Sequence, residues 1–92
     1  MKQIRRKLLD SLICLERLYW ETGNADILPG AISIAMEISE ESNVEWLSIK
    51  DFATSIVINN GLSKDASNEK IYEVLNVLGW EVVDEIKESE SL

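Results

Sequence analysis

Two groups of carboxylates carry the strongest chemical signal in this chain: Glu37, Glu40, Glu41 and Glu45, and later Glu81, Asp84, Glu85 and Glu88. Paired carboxylates serve general acid–base catalysis or hold a divalent ion. Glu37 with Glu41, and Glu81 with Glu85, fall about one turn apart if both regions are helical. Like charges at that spacing cost about a few tenths of a kcal/mol per pair. A solvated face is the first explanation of the clusters, and a face that meets a basic partner is the next. Trp46 directly follows Glu45. Tryptophan is enriched among the residues that dominate interface energies. Glu37, Glu40, Glu41, Glu45 and Trp46 are therefore the candidate partner-binding residues. Trp20 and Trp80, like Trp46, sit near element boundaries, where the competing role is to close the ends of a small core.

Other chemistries lack their parts. The chain has no histidine, which removes His-based general bases and metal ligands. Cys14 is the only cysteine. It falls at the edge of an apolar stripe, one turn from Leu18, and reads as a partly buried structural thiol. A catalytic cysteine needs an electropositive site and usually a base. There is no phosphate-binding G-x-x-x-x-G-K-[ST] loop, no Cys/His cluster for zinc and no calcium loop. No catalytic, cofactor-binding or metal-binding residue is assigned, no cofactor is expected, and an enzyme is not the expected class.

Charge narrows the choice of partner. The 92 residues hold 9 basic and 17 acidic side chains, for a net charge of −8. Lys2, Arg5, Arg6 and Lys7 give the first seven residues +4, so the remaining 85 carry −12. Duplex binding depends on Lys and Arg displacing counterions from phosphates, and most of this surface would repel them. The acidic field suits a basic protein partner, or simply keeps a small domain soluble. The basic N-terminal end fits contact with nucleic acid or an acidic partner, and fits pairing with the chain's own excess acid equally well. Asp10, Glu16 and Arg17 interrupt the apolar stretch that follows, so it does not read as a signal peptide. No apolar run approaches the length of a membrane span. One cysteine and no leader point to a cytoplasmic setting.

The elements that must position these residues are helical. Ile4, Leu8, Leu12, Leu15 and Tyr19 form a stripe that predicts a first helix over 3–21, ended by Gly23-Asn24. A second helix is expected over 27–42, with Asp26 as N-cap and Pro29 in its first turn. Residues 44–47 read as a short extended piece. Ser48 then caps a third helix over 49–60, with the stripe Ile49, Phe52, Ala53, Ile56 and Val57, and Leu62 can pack back against its end. After a polar loop over 63–67, Ser67 caps a fourth helix, with the stripe Ile71, Val74, Leu75 and Leu78, which Gly79 ends. Trp80-Glu81-Val82-Val83 reads as a short strand or a further turn of helix.

The segment Ser48-Ile49-Lys50-Asp51-Phe52-Ala53, with Lys70 to Trp80 beyond it, resembles a helix-turn-helix of the winged-helix type. It is similar to the C-terminal domain of phage antirepressors, where S-x-K-x-F-A opens one helix and L-x-x-x-G-aromatic ends the next. The resemblance covers less than half of the chain. It implies a scaffold and assigns no functional residue. The linker Thr54–Glu69 is long for that pattern, Lys70 is the only basic residue of the second helix, and little chain follows Trp80 for a hairpin wing.

The expected fold is a mainly α, compact four-helix domain over 1–86, with at most a minimal two-stranded pairing between residues near Trp46 and Trp80. Residues 87–92 are expected to form a frayed acidic tail. The expected function is that of a non-catalytic acidic protein-binding module. The matching class is an inhibitor of the toxin-immunity, antitoxin or phage anti-defence type. Such a module covers a basic site on a nuclease or nucleoprotein complex. The alternative is a small transcription regulator or antirepressor-like protein with a degenerate winged helix.

Overall fold

A computed structural model describes residues 2–59 and 67–86. Strand β1, Lys2–Arg5, leads into α1, Arg6–Thr22. A single 3-10 turn, Ala25–Ile27, precedes α2, Leu28–Ser42. Helices α3, Trp46–Asn59, and α4, Asn68–Val77, follow, and β2, Trp80–Val83, closes the fold. The chain is mainly α with a minimal two-stranded sheet, as expected.

The sheet is not where the sequence pattern places it. β1 and β2 pair in parallel, with Lys2 opposite Trp80 and Arg5 opposite Val83. The residues near Trp46 take no part. The pairing corrects the first helix as well: residues 3–5 are strand, and the helix begins at Arg6. Ile4 fits the helical stripe of Leu8 and Leu12 by spacing, but it reaches the same core from a strand and is buried there. Gly79 makes the return possible. Its φ of +92° lies in a region that disfavours side chains, and its carbonyl accepts the Lys2 N–H at 3.0 Å. The only strand pairing among the described residues is parallel, so they contain no antiparallel hairpin wing.

α3 starts three residues earlier than expected. Asn43, at φ +57°, ends α2 in the left-handed conformation and donates its N–H to Ser39 O. The Ser39 hydroxyl donates to Val44 O, and the Ile49 N–H bonds Glu45 O at 3.2 Å. This tight turn puts Trp46 in the first turn of α3 and leaves Ser48 inside the helix. Asp26 does not cap α2: Asn24 caps the preceding 3-10 turn, accepting the Asp26 N–H at 3.0 Å, and the N-cap position of α2 falls on Ile27, which has no side-chain cap bond. Ser67 occupies the N-cap position of α4 without a side-chain cap bond. The expected packing of Leu62, the end of α3 at residue 60 and the tail over 87–92 lie outside the described residues.

One core joins all six elements. Leu9, Leu12 and Ile13 of α1 meet Ala31, Ala35 and Ile38 of α2, Ile49, Ala53 and Val57 of α3, and Ile71 and Leu75 of α4. The alanines of α2 let the helices approach closely. Trp80 is buried against Phe52, with ring centroids 5.5 Å apart. Trp80 thus fills the core role. Trp20 is exposed at the end of α1, edge-on to Tyr19.

Candidate functional site: the acidic face of α2 and the Trp46 turn

α2 buries Ala31, Ala35 and Ile38. At about 100° per residue, Glu40 falls opposite that stripe, Glu37 lies next to Glu40 and Glu41 falls on the flank. The five candidate residues separate into three environments. Glu41 is committed to Arg5. The Arg5 Nε lies 2.9 and 3.0 Å from the two carboxylate oxygens, and Nη2 lies 2.6 Å from Oε2. The hydrogen bonds to Glu41 raise the Arg5 pKa, and the charges of Glu41 and Glu37 add to the effect. Glu37 therefore acts on Arg5 at longer range. Glu40 and Glu45 are exposed and form no ion pair among the described residues. Trp46 is half-buried and, with Ser39, Glu45 and Leu47, lines a shallow pocket of about 340 Å³. The turn through Asn43 brings Glu45 and Trp46 together. Helix periodicity puts Glu37 beside Glu40.

The basic end faces inward to the chain's own groups. Besides Arg5 with Glu41, the Arg6 Nε donates to Asp84 Oδ1 at 2.9 Å, and its guanidinium lies 5.1 Å from the centre of the Tyr72 ring. The Lys2 ammonium stands 5.8 Å from the centre of the Trp80 ring. Of the two roles open to this end, the structure shows pairing with the chain's own acids for Arg5 and Arg6, while Lys2 and Lys7 stay exposed. The second acidic group is partly used in the same way. Asp84 holds Arg6, and Glu81 accepts from Gln3 at 3.3 Å. Glu85 is exposed, and Glu88 lies outside the described residues.

No known family, curated protein or solved structure matches this chain. The site therefore rests on its own geometry. Among the described residues, no group of three or more His, Cys, Asp or Glu side chains could hold a metal ion. No described helix is long and apolar enough to cross a membrane. Cys14 is exposed rather than partly buried.

Two polar clusters escaped the sequence reading. Glu16 is 1% exposed, accepting from Lys50 Nζ at 2.7 Å and from Thr54 Oγ1 at 3.2 Å. A signal for it existed: Glu16 follows Leu12 by four residues and Ile13 by three, on the buried stripe. A carboxylate there needs a partner, but the identity of Lys50 depends on how α1 meets α3. The second cluster joins α1 to α4. Asp10 Oδ1 accepts from the Tyr72 hydroxyl and from Asn68 Nδ2 at 3.1 Å, and Arg17 donates to Asn68 Oδ1 at 3.4 Å. Burial raises the Tyr72 pKa most, the hydrogen bond to Asp10 adds to it, and Arg6 works in the opposite direction. Both clusters clamp helices together.

Proposed function

We propose that this protein is a non-catalytic, acidic protein-binding module. It acts as an inhibitor of the toxin-immunity, antitoxin or phage anti-defence type, covering a basic site on a nucleic-acid-acting partner. One observation carries the reading. Arg5, Arg6 and Lys50 are held in internal ion pairs, while Glu40 of α2 stays exposed and Glu45 stays exposed beside the half-buried Trp46. The exposed charge at this turn is therefore negative, and an aromatic side chain stands next to it. Exposed carboxylates speed the approach of a basic surface, and a desolvated tryptophan slows its departure. Glu37 flanks the surface and Glu41 supports it through Arg5.

The alternative, a small DNA-binding regulator, has less support. α4 would be the reading helix, and its exposed charges are Glu69, Lys70 and Glu73. Two acids against one base give little attraction for phosphate.

The test begins with capture of partners from the native host by the full chain. The purified partner's activity on nucleic acid is then measured as the protein is added. An inhibitor suppresses that activity at stoichiometric ratio, and Glu40→Lys with Glu45→Lys weakens the suppression. A partner without nucleic-acid activity, or suppression indifferent to the double reversal, contradicts the reading.

A further inference from the structure

A second surface lies between α3 and α4. Phe52 and Ile56 of α3 and Val74 and Leu78 at the end of α4 line a groove of about 590 Å³, and Ser48, Asp51 and Ser55 stand along it. From Ser48 to Asn59 its α3 wall runs for about three helical turns, roughly 16 Å. Exposed apolar side chains gather around it. Leu78 is 60% exposed and its neighbour Val77 86%. With Phe52, Ile56 and Val74, Leu78 gives the groove an apolar lining, the character of an interaction surface.

Charge selects the occupant. Among the described residues, Asp51 is the one charged side chain lining the groove, and no basic side chain lines it. A second copy would bring its own charge of −8 against this one and be repelled. A groove between two helices with an apolar floor receives an amphipathic helix through anchors at i, i+3 or i+4, and i+7. We propose that the α3–α4 groove docks an amphipathic helix of a protein partner, its apolar stripe on Phe52, Ile56, Val74 and Leu78 and a flanking lysine or arginine on Asp51. This surface is independent of the acidic face of α2, and either can fail without the other.

The full chain, labelled with 15N, is titrated with three synthetic peptides. One is a leucine–lysine amphipathic helix, one its scrambled counterpart of equal charge, and one a leucine–glutamate amphipathic helix. The expected result is saturable binding of the first peptide alone, with amide shifts at Phe52, Ser55, Val74 and Leu78. Leu78→Ser and Asp51→Lys should each weaken it about tenfold, as for an interface anchor. Both side chains are exposed. Should Leu78→Ser lower the melting temperature, Asp51→Lys alone decides. Glu40→Lys with Glu45→Lys should leave this binding in place. The proposal is overturned by absence of saturable binding or by equal binding of the scrambled peptide. It is also overturned by shifts confined to α2, by affinity unchanged in the groove variants, or by a wild-type dimer in sedimentation that Leu78→Ser dissolves.

Discussion

Arg5 of β1 grips Glu41 of α2 through three N–H···O contacts between 2.6 and 3.0 Å, so the N-terminal strand immobilises one member of the acidic face. Paired guanidinium and carboxylate of this geometry are directional as well as attractive. Glu41 thereby supports the fold, and Glu40, one residue earlier, is free to meet a partner. Glu41→Lys sets a cation against Arg5 and should lower the melting temperature. Glu40→Lys should leave it unchanged. Thermal unfolding of the two single variants checks the difference, and identical melting of both with wild type contradicts it.

The buried ion pair makes a sharper stability claim. Lys50→Ala leaves the Glu16 carboxylate in the core with only Thr54 as a described side-chain partner. The expected loss is about 3 kcal/mol, the low end for a broken buried pair, because Thr54 still reaches Glu16 and Lys50 keeps some solvent. Replacing both partners, Glu16→Leu with Lys50→Met, should recover most of that loss, since well-packed apolar groups avoid the desolvation cost. Urea denaturation measures both. A double variant less stable than Lys50→Ala alone would show that the pair is worth more than its desolvation.

Tyr72 predicts an alkaline limit. Its pKa lies above the ordinary 10.0 because burial and the bond to Asp10 oppose the phenolate. A folded pKa raised above the unfolded one contributes stability that is fully present below pH 10. That stability is lost as pH rises through the folded value. The melting temperature of wild type should therefore fall more steeply above pH 10 than that of Tyr72→Phe. Melts between neutral and alkaline pH check this, and parallel curves contradict it.

The four helices were legible because each carries its own period and three of them a stop signal: Leu8-Leu12 with Gly23, Ala31-Ala35 with Asn43, Ile71-Leu75 with Gly79, and Ile49-Ala53-Ile56 on α3 by period alone. The strand Lys2–Arg5 was not. Four residues are too few for an alternation to stand out, and Ile4 also satisfies the stripe of Leu8. Only its pairing with Trp80–Val83, at the far end of the chain, decides in favour of strand, and no local pattern carries that information. The start of α3 at Trp46 was hidden for a similar reason, since the Ser39 hydroxyl and Val44 carbonyl set the turn from opposite sides of Asn43. Of the acidic site, the clustering of carboxylates was visible in one dimension. The capture of Glu41 by Arg5 was not, because it requires β1 to lie beside α2.

Duplex DNA should not bind measurably at physiological salt. The basic residues that phosphate contact would need are partly consumed within the fold by Glu41, Asp84 and Glu16. A fluorescence-anisotropy titration with random duplex over a range of salt checks this. A micromolar, salt-sensitive rise contradicts it and favours the regulator reading.

The most direct measurement is the association rate of the captured partner as a function of ionic strength, for wild type and for Glu40→Lys with Glu45→Lys. Docking on the acidic face at the Trp46 turn requires a wild-type rate that falls steeply with salt, and a variant rate that is slower and nearly flat, with the fold intact by thermal melting. Equal rates with equal salt dependence would contradict it and remove Glu40, Glu45 and Trp46 as the docking site.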